Sequence, residues 1–251
     1  MPRILLINPN TSDEMTAKMA AAASSALAGL PPGTAIDTVK ASFGPRYIEG
    51  DVDEAVAAVA VAEIVTACGQ DYDAFVIGCF SDPGLRAARE LSHKPVVGIA
   101  EASFLLAHGL GAGFSILSTA PEDGPIFRRL VRSYNLEGSL VSIRPANVTI
   151  EELARSDPKA LSSLLGAGRQ AVADGAGALC LACAGMSGLA EPLARQLGAP
   201  VLEPVASGLG LVSLYLQLGL GHPAPRIFAK GRRREYTAGF GWNLEEVYEG
   251  R

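Results

Sequence analysis

Val76-Ile77-Gly78-Cys79-Phe80-Ser81-Asp82-Pro83-Gly84-Leu85 is the stretch on which the reading of this chain turns, together with its echo Leu179-Cys180-Leu181-Ala182-Cys183-Ala184-Gly185-Met186-Ser187-Gly188-Leu189. In each, an apolar run suited to a buried strand ends in a cysteine and passes into a small-residue turn that opens a helix. Cys79 and Cys183 are therefore expected at the C-terminal edges of strands. In open parallel sheets that edge is where ligands bind, and a helix N-terminus beside a thiol favours its thiolate. Two such cysteines predict a two-sided active site.

The flanks of the two stretches also correspond. Gly84-Leu85 matches Gly188-Leu189, and Lys94-Pro95-Val96-Val97 matches Ala199-Pro200-Val201-Leu202. Upstream, the run over 4–7 ends in Asn8-Pro9-Asn10-Thr11 much as the run over 114–117 ends in Ser118-Thr119-Ala120-Pro121. An internal duplication explains these matches together. It predicts two pseudosymmetric α/β lobes, each a mostly parallel sheet flanked by helices, with the site in the cleft between them. The expected division is 1–98 with 206–251 for the Cys79 lobe, and 99–205 for the Cys183 lobe.

The local signals agree with that plan. Strands are predicted over 3–7, 35–39, 74–78 and 95–99. Helices are predicted from about Ser12, where Thr11 and Glu14 have capping-box spacing, over 53–68 and 85–91, and over 207–221. The uncharged stretch 102–121 is broken by His108, Gly109, Gly111 and Gly113, so it reads as helix, turn and strand rather than a membrane span.

Composition narrows the class further. Of 251 residues, 49% are hydrophobic but only 6% aromatic, so core volume must come from Ala, Val, Leu and Ile, as in helices packed on parallel sheets. A net charge of -5 gives little attraction to nucleic acid or anionic lipid, and the cluster Lys230-Gly231-Arg232-Arg233-Arg234 has no aromatic-interleaved binding module around it. That cluster reads as a solvated or subunit-facing surface, with Tyr236, Phe240 and Trp242 docking on a lobe or a second copy. Neither a nucleic-acid nor a membrane partner is expected; a small uncharged substrate and a homo-oligomer are. Four cysteines do not make a disulfide scaffold, and 4–7 is too short for a secretory leader, so a cytoplasmic setting is expected.

Competing chemistries fail on spacing. Cys180 and Cys183 form a CxxC string, but redox pairs open a helix and zinc sites need about four ligands, whereas these two are read as lying in one strand and pointing to opposite faces. Cys180 and Cys68 read as small core hydrophobes. Gly109-Leu110-Gly111-Ala112-Gly113 precedes a strand and lacks dinucleotide-fingerprint spacing, and no phosphate-binding GxxxxGK[ST] string exists. A covalent hydrolase built on Cys79 would want a histidine base, and His93, His108 and His222 have no motif context that supplies one. One thiol from each lobe suits a proton removed from one face of a carbon and returned to the other.

The chain resembles the aspartate/glutamate/hydantoin racemase superfamily, and within it the hydantoin and allantoin racemases. The carrying strings are Ile7-Asn8-Pro9-Asn10-Thr11-Ser12, Gly44-Pro45-Arg46-Tyr47-Ile48-Glu49, Cys79-Phe80-Ser81-Asp82-Pro83-Gly84-Leu85, Pro95-Val96-Val97-Gly98-Ile99-Ala100-Glu101-Ala102 and Cys183-Ala184-Gly185-Met186. The resemblance implies no cofactor and no metal, and Cys79 and Cys183 as the acid and base pair. It further implies that Asn8, Ser118 and Thr119, with Pro45 and the backbone around Phe80, Ala184 and Gly185, hold a cyclic ureide and its developing enolate. Both cysteines are present, unlike the arylmalonate decarboxylase relatives, which keep one. The tail after Pro223 departs from the family pattern. The expected activity is racemisation of 5-substituted hydantoins, with allantoin and then acidic amino acids as alternative substrates. A two-lobed binding protein is the alternative from another class, and the paired thiols count against it.

Overall fold

The computed structural model describes residues 1–111, 113–155 and 158–222. The first half runs β1 (Arg3–Asn8), α1 (Asp13–Ala26), β2 (Ala35–Lys40), α2 (Asp51–Cys68), β3 (Ala74–Ile77), α3 (Leu85–Leu91) and β4 (Val96–Gly98). After α4 (Ile99–Gly109) the plan repeats as β5 (Phe114–Ser118), α5 (Asp123–Ser133), β6 (Leu140–Pro145), α6 (Ile150–Ala154), α7 (Pro158–Ala173), β7 (Ala178–Leu181), α8 (Ala190–Leu197) and β8 (Val201–Leu202), and α9 (Pro204–Gln217) follows. Each half forms a four-stranded sheet with every pairing parallel, in the orders β2-β1-β3-β4 and β6-β5-β7-β8. The identical orders match the duplication read from the flanks of the two cysteines. Both faces of the strands are covered, which is why β3 and β7 are apolar at every position rather than alternating.

Strand order reverses between β1 and β3, and equivalently between β5 and β7. In doubly wound sheets the crevice outside such a reversal is where ligands bind. Matching bonds hang the two cysteine segments there: Gly78 N–H donates to the Ile7 carbonyl at 2.8 Å, and Ala182 N–H to the Leu117 carbonyl at 3.0 Å. Gly78 is required by close approach, since a Cβ there would stand 1.9 Å from Met19 Cε and 3.0 Å from the Ile7 oxygen.

One apolar cluster crosses the halves. It joins Met15 and Met19 of α1 to Phe104 of α4, Phe114 and Ile116 of β5, and Leu209 and Val212 of α9. Phe80 makes edge-on contacts with Phe104 at 5.4 Å and Phe127 at 5.6 Å, so the residue after Cys79 is locked between the lobes. The α9 helix packs on α4, α1, β3 and β4, which brings the chain back to the first sheet.

A polar latch joins the same elements. Asp82, at a left-handed φ of 48°, accepts N–H bonds from Ala100 (3.1 Å) and Glu101 (2.8 Å) at the start of α4, and a hydroxyl bond from Tyr134 (2.6 Å) just past α5. Glu101 pairs with Arg89 at 2.5 Å, largely out of solvent. Gly98 makes room for the latch: a Cβ there would meet Asp82 Cγ at 2.1 Å.

Several local expectations are corrected. Ser12, not Thr11, caps α1, its hydroxyl oxygen accepting from Met15 N–H at 3.2 Å, because Asn10 Oδ1 first fixes Ser12 N–H at 2.9 Å. Ile99 belongs to α4 rather than to β4. The helix expected over 207–221 begins at Pro204, with Glu203 as its cap. Cys180 lies in β7, but Cys183 lies beyond it as the cap of a single helical turn, so the two do not share a strand. The basic and aromatic tail lies outside the described residues. Among the described residues no helix is long and apolar enough to cross a membrane.

Candidate active site

A cavity of about 390 Å³ opens where the strand edges of the two sheets converge, and both Cys79 and Cys183 line it. Its wall is apolar on several sides, through Met15, Ile48, Phe80, Ile126, Phe127, Val148 and Ile150. Five carboxylates also line it, Glu49, Glu54, Glu122, Asp123 and Glu151; no Lys, Arg or His does among the described residues.

The two thiols have different settings. Cys79 Sγ lies 3.5 Å from Ser81 Oγ. Burial pushes its pKa up to about 11, the charges of Asp82 and Glu54 adding to the rise and the Ser81 bonds opposing it. Cys183 Sγ accepts the Gly185 N–H at 3.3 Å. Burial pushes this thiol up to about 12, with Cys79 and Asp123 adding and the Gly185 bond and Lys18 opposing. Lys18 donates to the carbonyls of Leu153 and, at 3.0 Å, Gly185, so a half-buried ammonium backs the Cys183 turn.

The expected lowering of the thiols by helix ends is thus overturned by burial. The physical reason is positional: α3 starts six residues after Cys79, and the turn after Cys183 is only three residues long and offers one N–H. A helix end acts only over its first turn, and desolvation of an anion between the two lobes is larger.

The other residues expected at the site divide. Phe80, Thr119 and Ala184 line the cavity with the thiols; Asn8, Pro45, Ser118 and Gly185 do not. Asn8 and Ser118 are the last residues of β1 and β5, both fully buried, and each is turned into the loop that follows it. Asn8 Nδ2 donates to Asn10 Oδ1 and Thr16 Oγ1, both at 2.9 Å, and Ser118 Oγ donates to the Ala120 carbonyl at 3.2 Å. Asn10 and Ala120 then line the cavity in their place. Thr119 Oγ1 donates to Asp123 at 2.6 Å, and the Thr119 and Ala120 N–H groups reach the same oxygen. The Pro45 carbonyl accepts from Thr11 N–H at 3.0 Å, which ties the loop carrying Tyr47, Ile48 and Glu49 to the end of β1. Gly185 acts through its bond to Cys183.

Sequence reading missed Glu54, the Thr149–Ile150–Glu151 segment and Lys18. Glu54 sits among Asp51 and Asp53 in the first turn of α2, an acidic start that any helix favours, so nothing local distinguishes the carboxylate facing a thiol. Among the described residues no group of three or more His, Cys, Asp or Glu side chains is placed to hold a metal ion.

Residues 4–212 match the Asp/Glu/Hydantoin racemase family. A hydantoin racemase of Paenarthrobacter aurescens is 37% identical over 237 residues, 93% of this chain and 99% of that protein. A hydantoin racemase of Rhizobium meliloti is 37% identical over 86% of this chain and 89% of its own. Among solved structures, an allantoin racemase from Klebsiella pneumoniae superposes with a TM-score of 0.90 at 35% identity, covering 95% of this chain and 97% of that one. Duplicated parallel sheets, a thiol at the equivalent edge of each, and a sequence match spanning nearly all the described residues lead to one assignment: the chain belongs to the Asp/Glu/hydantoin racemase family and is an isomerase.

Proposed function

We propose that the protein racemises 5-substituted hydantoins by a cofactor-independent two-thiol mechanism, one of Cys79 and Cys183 removing the C5 proton and the other returning one to the opposite face. The observation that carries this reading is the shared cavity, into which the two lobes each bring one thiol from the equivalent strand edge. The C5 hydrogen of a hydantoin lies beside a ring carbonyl, so its removal gives an enolate that hydrogen-bond donors can stabilise. The backbone around Phe80 and Ala184 is assigned that role, while the Thr119 hydroxyl, whose proton goes to Asp123, is assigned to accept a ring N–H. Asn8, Pro45, Ser118 and Gly185 serve by holding Asn10, the 45–50 loop, the Ala120 turn and the Cys183 sulfur.

The electrostatics support a neutral ring over an amino acid. Five carboxylates with no cation among the described lining residues would repel an acidic amino acid and leave its carboxylate unpaired. Allantoin, whose ring is the same and whose 5-substituent is a neutral ureido group, is the second reading, favoured by the 0.90 superposition on an allantoin racemase. The apolar wall formed by Ile48, Ile126, Phe127 and Val148 favours an apolar 5-substituent.

Loss of optical rotation from enantiopure 5-benzylhydantoin, allantoin and glutamate tests the substrate class, and the expected order of kcat/KM is the order in which they are named. Cys79→Ser and Cys183→Ser should each abolish racemisation, because a hydroxyl is too weak an acid to replace either thiol. In D₂O each single variant should still exchange the C5 hydrogen of one enantiomer, and the two should choose opposite ones. Labelling of the same enantiomer by both, or wild-type racemisation by either, would overturn the opposed-thiol assignment.

A further inference from the structure

Cys79 is the end of a short polar chain. Its Sγ stands 3.5 Å from Ser81 Oγ, Ser81 faces the carboxyl of Glu54, and all three line the cavity. Glu54 reaches this place from the first turn of α2. The other charged groups facing it are Asp51 on the same helix and Arg129 on α5, which pair with each other at 2.5 Å. Cys79 is further faced by Asp82 of its own loop, and Cys183 of the other lobe feels the Cys79 charge.

A serine hydroxyl has one proton to give, so Ser81 cannot donate to both neighbours. When Glu54 is a carboxylate, Ser81 donates to it and can only accept from Cys79, which must then be the thiol. When Cys79 is the thiolate, Ser81 turns its proton to sulfur, and Glu54 must be protonated to supply Ser81 in turn. The two arrangements hold the same number of protons and differ in where one of them sits. Passing from the second to the first, the Glu54 O–H bond breaks and its proton moves to Ser81 Oγ; the Ser81 proton moves to Sγ and forms the S–H bond. The carboxylate keeps the electron pair of the broken bond.

We propose that Glu54 is a positioning residue that sets and restores the proton on Cys79 through Ser81. The proposal rests on the reading of Cys79 as one of the two acid–base thiols. Each turnover in that mechanism leaves the two thiols with exchanged protonation, and a thiolate left at Cys79 is recharged through Ser81 without waiting for a substrate of the opposite hand. Burial raises the Glu54 carboxyl above its ordinary range, which favours the protonated form that the second arrangement requires, and its charge in turn raises Cys79.

The test is alkylation by iodoacetamide at pH 8, followed separately at Cys79 and Cys183 by peptide mass spectrometry, alongside racemisation kinetics. In Glu54→Gln the carboxylate charge is gone and the amide can donate an N–H to Ser81 as well as accept from it, so Ser81 is no longer bound to donate away from sulfur. Cys79 alkylation should then rise about tenfold, as for a thiol lowered by one unit, with Cys183 changed by less than about twofold and kcat reduced about tenfold or more. In a Ser81→Ala background the same substitution should leave Cys79 alkylation within about twofold. Glu54→Asp, which keeps the charge but withdraws it from Ser81, should reproduce part of the gain.

Unchanged Cys79 alkylation in Glu54→Gln, or an equal gain with and without Ser81, would overturn the proposal, the latter because Glu54 would then act through space alone. A matching gain at Cys183 would also overturn it, as general loosening of the site. Full racemisation by Cys79→Ser would instead sink the two-thiol reading, while the alkylation pattern still decided whether the chain of three groups exists.

Discussion

Tyr134→Phe removes one hydroxyl from the latch between the lobes, and its cost should depend on pH. Tyr134 donates to Asp82 Oδ2 at 2.6 Å, and the carboxyl also holds the N–H groups of Ala100 and Glu101. Burial pushes Asp82 up to about 7, with the Glu101 charge adding and the Tyr134 bond opposing. Above that value the carboxyl is charged, and a hydrogen bond to a charged group contributes about 1.5–3 kcal/mol. A chain of this size loses about 2–4 °C per kcal/mol, so the variant should melt about 3–12 °C lower at pH 8.5. At pH 5.5 the folded carboxyl is neutral, the bond falls toward about 1 kcal/mol, and the drop should be only about 2–4 °C.

The sign follows from linkage. A carboxyl whose folded value is raised contributes stability at low pH that is lost as pH rises through that value. Losing the Tyr134 bond raises the Asp82 value further, so the loss continues to higher pH in the variant, and the gap between the two proteins opens above about 7. Thermal unfolding followed by circular dichroism at the two pH values measures it. An equal drop at both, or a larger one at pH 5.5, would refute the reasoning, because Asp82 would not be changing charge where burial places it.

Other expectations concern the thiols and their supports. Because burial holds Cys79 at about 11 and Cys183 at about 12, the logarithm of kcat/KM should rise by about one per pH unit between about pH 7 and 9; a plateau there would show that neither thiol titrates where its setting holds it. Cys68→Ala and Cys180→Ala should cost about 1 kcal/mol each in denaturant unfolding and leave turnover within a few fold, since Cys180 is a fully buried strand residue and Cys68 ends α2; a thousandfold loss of rate in either would mean that the wrong thiols have been chosen. Gly78→Ala forces a methyl into Met19 and the Ile7 carbonyl, so it should destabilise by about 1–3 kcal/mol and lower kcat by shifting Cys79; a variant with wild-type melting and turnover would show that the strand edge can relax.

Much of this molecule is written locally. Apolar runs too short for helices, each ended by a turn, mark β1, β3, β5 and β7, and the repeated order of runs and turns marks two lobes. Placing Cys79 and Cys183 at the C-terminal edges of β3 and β7 needed no more than that, because a strand's end is a local event and a parallel sheet carries its ligands there, although Cys183, read as inside the strand, lies just beyond it. The helix starts were legible to within a few residues, and the one-residue shift of the α1 cap reflects a competition among Asn8, Asn10 and Ser12 that spacing alone does not resolve.

Orientation and acidity were decided elsewhere. Asn8 and Ser118 are expected at the site from the family resemblance, yet both turn inward to brace their loops, and Asn10 and Thr119 face the cavity instead. Glu54 is one of several acids opening a helix until the fold sets it beside Ser81. The thiols lie next to turns that were expected to lower them, and the convergence of two lobes buries them and raises them instead. A pattern of residues states what each segment does with its own backbone. Which side chains meet, and how much water is left to solvate a charge, is set by segments far apart in the chain, so only the tertiary structure determines them.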